Sequence, residues 1–165
     1  MKKALLIAIM TCSVIIAKAQ TTNTAVTEHD AAVKAKDADI KTNIIDPAEQ
    51  DAGSETPDWK ALTQTITQKY DATTADRTIT KAKIYYYYNK DWPAFCDAIV
   101  HYTDNFELAN DYPLLNKNAG MILKNSNDAA QLKEAQKWAK AALDSDPNNE
   151  QYKTTYQALS AKINK

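Results

Sequence analysis

From Trp59 to Ile163 large apolar side chains recur every third or fourth position, and that spacing leaves one economical way to bury them, as helices each with one apolar face. Trp59, Leu62, Ile66 and Tyr70 fall at i, i+3, i+7 and i+11. Thr56 is the expected N-cap there, with Pro57 at the first helical position, where a missing N–H costs nothing. A second helix is expected from about Asp76 to Asn89. A third begins at Asp91, its cap, and carries Trp92, Pro93, Phe95, Ile99 and Tyr102. The fourth opens at Asp111 and Pro113 with Leu115, Ala119 and Ile122 on one stripe. After the loop Asn125-Ser126-Asn127-Asp128, a capping box of Asp128 and Gln131 is expected to start a fifth helix with Leu132, Ala135, Ala139 and Ala142 inward. Asp144 to Pro147 ends it, and a last helix carries Tyr152, Tyr156, Leu159 and Ile163. No alternating strand pattern of useful length is present, and only two of the 165 residues are glycine, which disfavours tight β-turns. The expected fold class is all-α.

The first nineteen residues have a different logic. Lys2 and Lys3 precede an apolar run from Ala4 to Ala17, and Ala17-Lys18-Ala19 forms a small-x-small site. This is the pattern of a secretory signal peptide, with cleavage expected after Ala19 and an exported, periplasmic or extracellular, product. Cys12 raises a lipoprotein alternative, which Thr11 opposes by occupying a position where a small Gly, Ala or Ser is needed. Cleavage removes Lys2, Lys3 and Lys18 and leaves 17 basic against 21 acidic residues. A mildly acidic product has no electrostatic footprint for nucleic acid or an anionic membrane, and no membrane span is expected in it. Cys96 becomes its lone cysteine, so no internal disulfide can form.

Residues 20–56 are rich in Thr, Ala, Asp and Lys. Val26, Val33 and Ile40 recur every seven residues and suit one weak helix, but a flexible leader is the favoured expectation because so little apolar surface opposes the ordering entropy. The run Asp46 to Pro57 reads as a linker, and the folded domain is expected over 57–165.

Helix pairs with short turns and a proline after the second member invite a search for a period near 34 residues. Leu115 to Pro147 resembles a tetratricopeptide (TPR) repeat: Ala119 fills the small-residue slot of the first helix, Ala135 and Ala142 those of the second, and Pro147 the closing proline. Its loop is about four residues longer than usual, and Trp138 stands beside the usual aromatic position. Asp76 to about Asn105 resembles a more degenerate repeat, with Trp92 opening its second helix, and Asn148 onward resembles the first helix of another. Over Trp59 to Ile163 the chain is also similar to the helical C-terminal region of secreted bacterial thioredoxin-fold proteins. It lacks their CxxC motif, so the resemblance carries over no redox residue. What it implies is a set of about five to six helices in TPR-like antiparallel hairpins, with first helices lining a groove at about 76–89, 111–124 and 148–163.

Chemistry is sparse. His29 lies in the leader, and His101 stands four residues from Asp97, within reach on a helix face, but no third group completes a catalytic set. Cys96 and His101 are about 140° apart on a helix, which opposes a dyad. No HExxH, GxSxG, phosphate loop, calcium loop or metal-ligand cluster occurs, so a non-enzymatic protein without cofactor or metal is expected.

Surfaces remain. Tyr85-Tyr86-Tyr87-Tyr88 is four of the nine tyrosines in succession. On a wheel at 100° per residue, Ile79, Ala82 and Tyr86 share one side with Tyr85 at its edge, Lys81, Ile84 and Tyr88 the opposite side, and Tyr87 lies between. Tyr86 with Tyr85 is therefore expected in the core, and Lys81, Tyr87 and Tyr88 are the candidate residues for binding a protein partner. Two functions are expected to compete: an interaction module that holds a protein segment in its groove, and an accessory subunit that self-associates as a homo-oligomer or packs on a larger envelope complex.

Overall fold

Six successive helices of this chain each begin on an Asp or Asn whose side-chain oxygen accepts a hydrogen bond from a first-turn amide. That repetition sets the frame of the fold. The structure, a computed structural model, describes residues 31–107 and 109–164. The signal peptide expected over 1–19, Val26 and His29 lie outside the described residues. The capped helices are α2 (Trp59–Lys69), α3 (Ala72–Tyr87), α4 (Trp92–Phe106), α5 (Tyr112–Asn125), α6 (Ala129–Ser145) and α7 (Glu150–Ile163). Asp58, Asp71, Asp91, Asp111, Asp128 and Asn149 cap them in that order, at 2.6–3.3 Å. The first cap corrects the expectation: it is Asp58 that accepts from Ala61 N–H, not Thr56. The next helix likewise opens before the expected start near Asp76: Asp71 is its cap and Ala72 its first residue, four positions earlier. The described residues contain no β-strand, so the all-α expectation holds.

The chain divides into two units, Met1–Pro47 and Ala48–Lys165. In the first, residues 31–40 are α-helical and Lys41–Ile45 form a π-helical turn, with Asp46 N–H donating to the Lys41 carbonyl. The wide turn falls where the ring of Pro47 would meet the carbonyl four residues earlier in a regular helix. Helix α1 (Asp46–Ala52) follows and stops at Gly53, whose φ of 59° is left-handed. Residues 31–52, expected within an unstructured leader and linker, are thus helical. The alanine-rich composition there has a small helix-forming cost, and Ile40 and Ile45 are buried.

In the second unit each helix from α2 to α6 packs on its successor, across connections of two to five residues. Packing also joins alternate helices, α4 with α6 and α5 with α7. Contacts between helix n and helix n+2 are what stacked hairpins produce, so the arrangement is compatible with a helical-repeat fold. The core gathers Phe95, Cys96 and Ile99 of α4, Leu115, Ala119 and Ile122 of α5, Leu132, Ala135, Trp138 and Ala139 of α6, and Leu159 of α7. Alanines at 119, 135, 139 and 142 are all 0 % exposed, and their small side chains leave room for neighbouring helices to pack closely. Polar side chains fasten the helix ends: Lys162 Nζ donates to the Leu123 and Ser126 carbonyls at 2.9 and 2.6 Å, satisfying orphan acceptors at the end of α5. The expected capping box is only half formed. Asp128 accepts from the Ala130 and Gln131 amides, but the Gln131 side chain turns to Ser126 Oγ and to Asp97 Oδ1, while Asp128 N–H donates to Ser126 Oγ.

Helices α3 and α4 are joined by a type II turn. Tyr88 has φ −54° and ψ 123°, Asn89 has φ 62°, and Lys90 N–H donates to the Tyr87 carbonyl at 2.9 Å. The left-handed position predicts opposite outcomes for two substitutions. Asn89→Val lowers the unfolding free energy by about 1–2 kcal/mol through steric strain, and Asn89→Gly leaves it within about 0.5 kcal/mol or raises it, both read from urea denaturation.

Candidate functional site

A groove opens between α3 and α5 with α4 as its floor. Its first hollow, about 550 Å3, is walled by Lys81, Ile84 and Tyr85 of α3 with Tyr88 just past its end, and by Lys117, Asn118 and Met121 of α5, over Phe95, Ile99 and Thr103 of α4. A second hollow, about 370 Å3, continues past Trp92, Asn116, Gly120, Lys124 and Asn125 to Gln151 and Thr155 of α7. The two share Tyr88, Lys117 and Met121 and form one groove along α3, α5 and α7. Those are the three helices the hairpin pattern assigns to a groove.

The aromatic run distributes itself around the end of α3. Tyr88 stands over the floor with its ring 5.7 Å from Trp92 and 5.6 Å from Phe95, yet is 54 % exposed. Tyr85 is 69 % exposed on the same wall. Tyr87 faces away: its hydroxyl accepts from Trp59 Nε1 at 3.0 Å and its half-buried ring packs on the core cluster, joining α2 to α3. Tyr86 also meets α2, edge to face with Trp59 at 5.4 Å; its hydroxyl donates to the Glu55 carbonyl and Lys90 Nζ lies 3.9 Å from its ring centroid. Of the three candidate binding residues, the structure therefore brings Lys81 and Tyr88 together and separates Tyr87 from them. Tyr85, expected in the core, is the residue that sequence reasoning missed. On the wheel Tyr85 is about 60° from both Ala82 and Tyr88, so periodicity cannot assign it.

Charge in the groove is mostly positive. Lys81, Lys117 and Lys124 line it with Glu107 as the carboxylate at the α4 end. Burial pushes the Glu107 carboxyl above the ordinary glutamate range, the Asp111 charge pushes it further, and Lys81 pulls it back. A raised folded-state value means the folded chain holds the proton more tightly, so this contribution to stability is full in acid and is lost as pH rises through the folded value. Glu107→Gln accordingly removes this one pH-linked loss, so the variant gains stability relative to the parent on going from about pH 4 to about pH 7, as measured by urea denaturation of both chains at both.

The remaining polar groups take structural partners. His101 Nε2 lies 2.9 Å from both oxygens of Asp76 on α3, not against Asp97, whose Oδ1 accepts from Gln131. Cys96 is 0 % exposed, and burial, then the charge of Asp97, pushes its thiol up to about 11. It is protonated at neutral pH and out of reach of substrate. Asn118 Nδ2 donates to Thr103 Oγ1 at 2.9 Å, tying α5 to α4 beneath the groove. Among the described residues no three His, Cys, Asp or Glu side chains are grouped to hold a metal ion, and no helix is long and apolar enough to cross a membrane. Comparison with protein families, with curated proteins and with solved structures finds no match for this chain.

Proposed function

We propose that this chain is an exported, non-catalytic helical-repeat module, TPR-like in its hairpins, that holds a segment of another protein in the α3–α5–α7 groove. The observation that carries the reading is the pair Tyr85 and Tyr88, exposed by 69 % and 54 % on the wall of a groove floored by Phe95 and Ile99. Tyrosine offers broad apolar contact with few rotors and a hydroxyl at its tip, and such anchors dominate protein interfaces. The resemblance to the helical region of thioredoxin-fold proteins supports the architecture alone, and a buried, protonated Cys96 supports a role without redox chemistry.

Light scattering on the purified chain and crosslinking in its native envelope test this. The expected result is a monomer that captures a defined protein, with Tyr85→Ala/Tyr88→Ala weakening capture by roughly 2 kcal/mol per anchor, or about 30-fold each. A dimer that Tyr88→Ala makes monomeric would replace this reading with self-association. Undiminished capture by the double variant would remove the groove from it.

A further inference from the structure

Gly120 sits in the middle of α5, in the wall of the second hollow, and is one of two glycines in the chain. A glycine inside a helix lowers helix stability relative to alanine, so its presence needs a reason. Backbone conformation gives none: Gly53 is the glycine with positive φ. Packing gives none, because a Cβ built on Gly120 meets nothing within 4 Å beyond its chain neighbours and the backbone of its own helix. The absent side chain leaves open groove, a strip where another backbone can lie directly on the helix.

One turn earlier on the same face is Asn116. It is 3 % exposed, lines the same hollow, and its Oδ1 is the buried side-chain atom left without a hydrogen-bond partner among the described residues. A buried acceptor without a donor is costly. A peptide backbone carries N–H groups beside its carbonyls, and an N–H is the donor this carboxamide oxygen lacks.

Lys117 and Lys124 flank this strip two helical turns apart, about 10 Å at the α-helical rise. Both are exposed, neither makes an ion pair within the described residues, and no carboxylate lines the hollow. This local positive charge belongs to a chain of net charge −1. Charge complementarity at such a rim selects an acidic partner.

We infer that the α5 stretch of the groove takes an extended acidic segment of a partner protein, its main chain against Gly120 with an N–H toward Asn116, and its carboxylates at Lys117 and Lys124. The inference rests on the reading of the groove as a peptide site and adds the partner's chemistry and its line of approach. A sugar acid shares the carboxylate but lacks the backbone N–H.

The test titrates the full chain, by fluorescence polarisation, with labelled short peptides carrying Asp or Glu around a central leucine, with their lysine-substituted and backbone N-methylated counterparts, and with an acidic oligogalacturonate. The expected result is binding of the acidic peptides about tenfold or more tighter than the lysine peptides, weakened by salt, and lost on N-methylation. Lys117→Gln/Lys124→Gln removes the acidic preference. Gly120→Ala raises Tm by about 3 °C, as alanine favours the helix, and weakens peptide binding; Gly120→Trp abolishes binding without lowering Tm, which separates a blocked groove from a damaged fold. Equal binding of acidic and lysine peptides, indifference to Gly120→Trp, or preference for the oligogalacturonate overturns the inference. If peptide binding is lost in Tyr85→Ala/Tyr88→Ala but not in Gly120→Trp, the groove reading stands and this inference falls. If no peptide binds while the full chain still captures a partner that Tyr85→Ala/Tyr88→Ala weakens, this inference falls and the groove reading stands.

Discussion

Phe95→Ala lowers the unfolding free energy by about 3–5 kcal/mol. Phe95 is 1 % exposed and belongs to the core cluster, while its ring meets Trp92 at 5.5 Å and Tyr88 at 5.6 Å. Truncation removes the transfer energy of the phenyl group and leaves a void that rigid neighbouring helices fill only in part. Thermal unfolding shifts down by roughly 10–20 °C for a unit of this size. Because the same ring floors the groove, the tyrosine wall loses its support, and under the proposed function partner capture is expected to fall with stability. Phe95→Leu, which keeps most of the volume, costs about 1–1.5 kcal/mol. Equal costs for the two substitutions in urea denaturation would show that volume at this site is unimportant.

Trp138→Ala is expected to cost a similar 3–5 kcal/mol, for a reason that a second substitution resolves. Trp138 is 7 % exposed in α6, and its indole N–H donates to Asp104 Oδ1 of α4 at 3.0 Å. The contact spans alternate helices and so helps to hold one hairpin on the next. Trp138→Phe keeps an aromatic ring and loses the hydrogen bond; Asp104 is exposed and returns to water, so the loss is only about 0.5–1.5 kcal/mol beyond the smaller ring. A phenylalanine variant as unstable as the alanine variant would reverse that ranking and make the hydrogen bond the main term.

Most of the helical frame was legible because it is encoded locally. Asp91, Asp111 and Asp128 announced their helices through the chemistry of an Asx cap, and the apolar stripes Leu115-Ala119-Ile122 and Leu132-Ala135-Ala139-Ala142 are buried as their spacing requires. Some local readings failed. Thr56 and Asp58 both suit an N-cap, and the helix begins after Asp58. The stretch 31–52 was weighed for its few apolar residues, whereas alanine-rich composition and the burial of Ile40 and Ile45 accompany a helix.

The candidate site was legible only as a list of surface-facing residues. Lys81 and Tyr88 both line the groove because they share a helix face, whereas Tyr85 lines it and Tyr87 turns to Trp59, since each sits near the boundary of that face. Asn116 and Gly120 carry no sequence signal of their own. Their meaning depends on what does not touch them, which requires every neighbour to be located first.

By itself the sequence determined that this chain is helical, where most helices start, and which stripe each buries, because caps and periodicity act within one or two turns. Tertiary structure alone decided which tyrosines face the groove and which partners the polar groups take. Trp59 claims Tyr87 from 28 residues away, Asp76 claims His101 from 25, Asp97 claims Gln131 from 34, and Lys162 reaches the Leu123 carbonyl across 39. Each choice is a competition among groups that only packing brings together, and a helical wheel contains no information about who is on the other side.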